Sequence, residues 1–304
     1  MAGDTDPMAM KPAIALSLLI GMQLLATGCG NSDDDDYDPN LFAIEFAADA
    51  FVTVGEDYSI ANSATGDEFL LQSVDCCGAL EAVSFGNGLW FTAGSDGVVF
   101  TSTDTANWFV QFLDTGKTLR GAAFGADIYV LVGDDGRAFS STNAGAWAQE
   151  DTGTEEDLED AVFAADLFVA VGTGGTILTS PDGETWTLET SGVTEDLLGV
   201  GWGAGVFVAV GDDGTILASD DGAAWTIATS AVTTRLQEII YANGLFVVVG
   251  DNGVILTSPN GADYTERDSG SSRDLHGVAF GENLFVAVGR HATILNSTDG
   301  IDWF

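Results

Sequence analysis

The chain has 304 residues, of which 47 are Asp or Glu and 8 are Lys or Arg, for a formal net charge of −39. So few cations exclude a general nucleic-acid binder, because neutralising phosphates takes clustered Lys and Arg. With 46% hydrophobic and 10% aromatic residues the chain can fill a large core, and 39 glycines against 5 prolines suit many tight turns.

At the N-terminus, Lys11 precedes an apolar run from Pro12 to Leu25 and then Ala26-Thr27-Gly28-Cys29. One positive charge, a short hydrophobic stretch and small residues before a cut predict a signal peptide over residues 1–28, with Met8 or Met10 as alternative starts. The Ala-Thr-Gly-Cys end resembles a bacterial lipobox, although Ala26 stands where leucine is commoner. That resemblance implies acylation of Cys29. Gly30 after the cysteine implies a lipid-anchored protein of the cell envelope, at the outer membrane of a Gram-negative bacterium. Residues 29–40 form an acidic tether that includes Asp33 to Asp36.

Everything after the tether repeats. Leucine recurs every 39 residues at 41, 80, 119, 158, 197, 236 and 275, and glycine keeps the same step from Gly55 to Gly289. Serine follows from Ser63 to Ser297, and an aromatic closes each unit, from Phe69 to Trp303. Seven units of 39 residues fill Ser32–Phe304 without insertion or deletion.

Each unit reads as four short strands. In the fifth these are A, Leu197–Trp202; B, Val206–Val210; C, Thr215–Ala218; and D, Trp225 to about Ser230. β-branched and aromatic residues fill the runs, and Gly211-Asp212-Asp213-Gly214 joins B to C as a tight hairpin. One such unit cannot bury both faces of its sheet without neighbours, so residues 41–304 are predicted to form an all-β, seven-bladed β-propeller. The last unit has only Trp303 and Phe304 for its outer strand, and Ser32–Tyr37 is too acidic to replace it well. A three-stranded seventh blade is expected, with closure around Leu275, Phe280, Leu41 and Phe46.

The C-to-D turns read Ser180-Pro-Asp182-Gly-Glu-Thr-Trp186, Ser219-Asp-Asp221-Gly-Ala-Ala-Trp225 and Ser297-Thr-Asp299-Gly-Ile-Asp-Trp303. These resemble Asp-box (BNR-type) repeats, one residue shorter than the sialidase form. Units with Gly-Thr-Ile-Leu-Thr-Ser resemble propellers of the photosystem II assembly factor-like group. The resemblance spans all seven units. It implies a structural role for the Ser and Asp side chains, bonding turn backbone, and for the aromatic, packing between sheets.

Alternating strand direction puts the D–A and B–C loops on one face of the ring, here called the loop face. Its acids include Glu56, Asp134, Asp135, Asp157, Asp196, Asp212, Asp213 and Asp251. They read first as solvated turns and only weakly as a calcium site, because no EF-hand loop is present; no cofactor and no metal site are predicted. Against that acidity Arg120, Arg235, Arg273, His276, Arg290 and His291 stand out as candidate partner-binding residues. Gly289-Arg290-His291-Ala292 stands where blades 3, 5 and 6 read Gly-Asp-x-Gly, and blade 1, its neighbour across ring closure, also departs with Gly55-Glu56-Asp57-Tyr58. Cys76 and Cys77, adjacent in the loop after blade 1, are either a local disulfide or two buried thiols.

Two functional classes follow. One is a non-enzymatic envelope scaffold that binds a partner protein or glycan through the loop face, as resemblance to assembly-factor propellers implies. The alternative is a sialidase-like glycoside hydrolase, in which Arg120, Arg235 and Arg273 would converge on a carboxylate. No clear Tyr–Glu nucleophile pair supports it, so no catalytic residue is assigned.

Overall fold

The computed structural model describes residues 39–73, 78–230 and 232–304. The leader, Cys29, Ser32–Tyr37, Cys76 and Cys77 lie outside the described residues. Among the described residues the chain forms seven antiparallel sheets, six of four strands in the order A–B–C–D and a last one of three in the order A–B–C. This is the seven-bladed propeller expected from the repeat.

Strand A is innermost in each blade: Leu41–Ala47, Leu80–Gly86, Leu119–Gly125, Leu158–Ala164, Leu197–Gly203, Leu236–Ala242 and Leu275–Gly281. Blade 5 continues with Val206–Gly211, Ile216–Ser219 and Thr226–Ile227. Its outer strand is shorter than predicted. Trp225 stays in the preceding turn, where its Nε1 donates to the Gly222 carbonyl at 2.8 Å. The B-to-C link is a 3-10 turn over Asp212–Gly214 in which Asp213 and Gly214 both take positive φ, 55° and 70°.

The recurring residues have local causes. The leucine that opens strand A is buried in every blade. The glycine that ends strand B answers a demand for space. A Cβ on Gly211 would stand 1.9 Å from the Asp196 carbonyl oxygen, and in the other six blades the gap is 2.3 Å or less. Its φ of −172° is ordinary extended backbone, so torsion is not the reason. The next amide, Asp212, donates to that same carbonyl at 2.9 Å, and all seven blades repeat the bond.

In the C-to-D turns Ser180 Oγ accepts the Gly183 N–H at 2.8 Å, while Asp182 Oδ1 accepts from Glu184 and Thr185 at 3.0 and 2.8 Å. Ser219 with Asp221, and Ser297 with Asp299, make the same bonds. Trp186 tilts against Phe168, Trp303 against Phe285, and Trp225 joins the cluster between blades 4 and 5.

Blades meet through an aromatic near the end of strand A that lies over the last residue of strand A in the preceding blade. Phe124 covers Gly86, Phe163 covers Gly125, Tyr241 covers Gly203 and Phe46 covers Gly281. Blade 1 therefore closes on blade 7 with Leu41, Ile44, Phe51 and Phe46 against Ala279, Val286 and Val288. Leu275 and Phe280, expected at this junction, pack instead on Val247 and Val249 of blade 6. Side chains at these positions lean towards the preceding blade, so only blade 1 contributes them to closure. In blade 7, after strands Leu284–Gly289 and Ile294–Ser297, Phe304 and Asn296 exchange two backbone hydrogen bonds of 3.0 and 3.1 Å.

Candidate functional site: the channel mouth and loop face

Just inside the start of strand A, pairing with strand B slips by one residue in all seven blades. The bulge re-aims the second residue of the strand. Those seven residues, Phe42, Glu81, Arg120, Glu159, Leu198, Gln237 and His276, all line the central channel, whose cavity volume is about 580 Å³. The leucine just before it is the same in all seven blades, whereas this position carries six residue types. Seven varied side chains gathered on one axis, each set there by an invariant leucine and a bulge, mark a candidate site.

The ring has a charged arc and an uncharged one. Arg120 in blade 3 is bracketed by Glu81 and Glu159; its Nε bonds Asp134 at 2.7 Å and its Nη1 lies 3.6 Å from Glu159. Burial pushes the carboxyls of Glu81 and Glu159 up, opposed by the charge of Arg120. On the opposite arc Gln237 donates to Asp251 at 2.7 Å, and His276 meets Phe42 edge to face at 5.7 Å. Burial lowers the His276 imidazole below its usual range, so it is neutral at pH 7.

Deeper in the channel lie Glu45, Asp160 and Glu238, which sequence reasoning did not single out. Asp160 from blade 4 accepts the Val200 N–H of blade 5 at 2.9 Å, and a Cβ on Gly199 would stand 3.3 Å from Glu238 Oε1. Burial pushes Glu45 and Asp160 up to about 7, and it raises Glu238 together with the neighbouring Asp160 charge. These carboxyls hold protons at neutral pH far better than surface acids do.

The remaining sequence-predicted cations sit around the mouth with partners. Arg235 pairs with Asp212, and Arg290 pairs with Asp274 at 3.1 Å. Arg273 is exposed and donates to the His291 carbonyl and to Thr293 Oγ1, at 3.3 and 3.4 Å. The positive patch at blades 7 and 1 is thus thinner than a count of residues suggests, because Asp274 offsets Arg290 and His276 is neutral. Arg120 and Arg235 line the channel whereas Arg273 turns to its own blade's B–C turn, so the three arginines are not brought together. Among the described residues no group of three or more His, Cys, Asp and Glu is placed to hold a metal ion.

No protein-family model matches the chain, and no curated protein matches it. Solved structures do. YCF48 bound to D1 peptide superposes with a TM-score of 0.69 at 16% identity, covering 85% of this chain and 93% of that one. YCF48 from Cyanidioschyzon merolae gives 0.58 at 15% identity, over 74% and 84%. A computationally designed protein, Ika8, gives 0.65 at 15% identity, over 89% and 88%. The likeness is one of fold.

Proposed function

We propose that this chain is a non-enzymatic, lipid-anchored envelope scaffold whose loop face holds a segment of a partner protein over the channel mouth. The observation that carries the reading is the ring of seven bulge residues: a regular frame presents one variable side chain per blade to a common axis. Its chemistry sorts a partner by orientation. Glu81, Arg120 and Glu159 suit a polar or cationic segment, whereas Phe42, Leu198 and His276 offer uncharged contact next to Arg273 and Arg290 at the rim. A carboxylate-bearing end of the partner fits that second arc. The YCF48 structure with a bound D1 peptide supports peptide capture as a use of this fold.

The test is capture from intact envelopes with the unaltered chain and with Arg273→Ala/Arg290→Ala. The account expects weaker capture by the variant at unchanged thermal stability, and no turnover of a fluorogenic sialoside by either. Equal capture, or sialoside hydrolysis by the unaltered chain, contradicts it.

A further inference from the structure

The outer wall of the ring carries an apolar stretch that the channel mouth does not use. The residue that opens the outer strand reads Leu70, Phe109, Ala148, Thr187, Thr226, Thr265 and Phe304 from blade 1 to blade 7. It is large and apolar only in blades 7, 1 and 2, which are consecutive around the ring. Leu70, Phe109 and Phe304 are 71%, 72% and 72% exposed. In blade 2 the strand Phe109–Phe112 adds exposed Val110 and Phe112, while Gln111 reaches across to blade 3 and donates to the Ala144 carbonyl at 2.8 Å. This strand has no charge; the outer strands of blades 3, 4 and 6 carry Glu150, Glu189 and Glu266. On a chain of −39, an uncharged wall of exposed Phe, Val and Leu needs a partner surface.

The chain itself indicates which surface. Pro39 accepts the Ala292 N–H at 2.9 Å and Asn40 accepts that of His291, so the N-terminal segment leaves the ring at the junction of blades 7 and 1. From strand A to the outer strand is three strand spacings, about 14 Å. The segment Gly30–Pro39 reaches at most about 33–36 Å. An acyl chain on Cys29 therefore reaches a bilayer lying against the outer wall of the very blades that flank its exit.

We infer that this wall is a membrane-contact surface. The anchored propeller lies on its edge, with Leu70, Phe109, Val110 and Phe112 in the interfacial zone of a zwitterionic bilayer, and the loop face stands side-on and open to partners. Anionic lipid is disfavoured by the net charge. The orientation rests on acylation of Cys29, but the contact does not.

The contact is tested without the anchor. The described ring begins at residue 39, so a chain of residues 30–304 carries it, and its flotation with excess phosphatidylethanolamine–phosphatidylcholine vesicles is measured beside Phe109→Ser/Phe112→Ser. The inference expects the vesicle-bound fraction to fall at least fivefold in the variant, with both proteins monomeric in sedimentation. Equal flotation, including none by either, overturns it. So does a concentration-dependent dimer that the same substitutions abolish, since the occupant is then a second copy. Failure of Cys29 acylation, read by mass spectrometry of the mature protein, leaves this result standing and removes only the orientation.

Discussion

The side-chain oxygen of Asn40 accepts the backbone N–H of His291 at 2.9 Å, joining the two ends of the ring. It is one copy of a latch. Asp157 takes the N–H of Asp135, Asp196 that of Gly174 and Asp274 that of Asn252, at 2.8 to 2.9 Å. In each case the residue before strand A reaches back to a left-handed turn residue of the preceding blade. At closure the role passes to an amide, because Glu56 already lies beside Asn40 and takes its N–H and Nδ2–H at 3.1 and 2.8 Å.

Asn40→Ala should therefore cost about 1–2 kcal/mol in chemical denaturation, by leaving the His291 amide without its acceptor. Asn40→Asp should not rescue it, because a second carboxylate then faces Glu56. Full stability of the aspartate variant would show that the latch is not what closes the ring.

Gly211→Ala should destabilise by about 3 kcal/mol, since the added methyl meets a backbone carbonyl that is itself hydrogen-bonded. Gly145→Ala, where the nearest atom is 3.5 Å from the added Cβ, should stay within about 0.5 kcal/mol. Equal melting temperatures for the two variants would contradict the spatial reading of the recurring glycine.

Stability should peak on the acid side of neutrality. Glu45 and Asp160 titrate near 7 in the fold, against about 4 in an unfolded chain. They favour folding fully below about pH 4 and lose that contribution as pH rises through 7. The turn aspartates act in the opposite sense. Asp104 is lowered to about 2 by hydrogen bonds from Asn107 and Ala106, and Asp182, Asp221 and Asp299 are lowered by turn amides. Their contribution is full above about pH 4 and lost as pH falls further. A maximum near pH 4 follows, with a decline towards pH 8 that Glu45→Gln/Asp160→Asn flattens. A melting temperature that does not change from pH 5 to 8 in the unaltered chain would refute the burial argument.

Cys29→Ser should release the protein from membranes or leave its precursor uncleaved. Fatty-acid labelling that persists in this variant would refute the anchor.

Much of the frame was legible because it repeats. Leu197 and Gly211 recur at a fixed step for reasons internal to one blade and its neighbour, a buried side chain and a carbonyl contact. The outer strand of blade 5 starts only after Trp225, which belongs by type to a strand but is held in its turn by the bond to Gly222. The channel was not legible residue by residue. Glu45, Asp160 and Glu238 lie far apart in sequence, and ring closure alone gathers them. A signal did exist in the aligned repeats, where Asp160 and Glu238 interrupt Ala43, Ala82, Gly121, Gly199 and Gly277 at one position. The cations Arg290 and His276 misled for the reverse reason, since their carboxylate partner and burial are set by the fold.

The central claim, that a partner sits on the loop face over the channel mouth, is tested most directly by site-specific photocrosslinking in intact envelopes. One crosslinker replaces His291 on the loop face, and a second replaces Asp302 in a C-to-D turn on the opposite face, both exposed. The account predicts a discrete protein adduct from position 291 that Arg273→Ala weakens, and none from position 302. Adducts from position 302 with none from position 291 would contradict it.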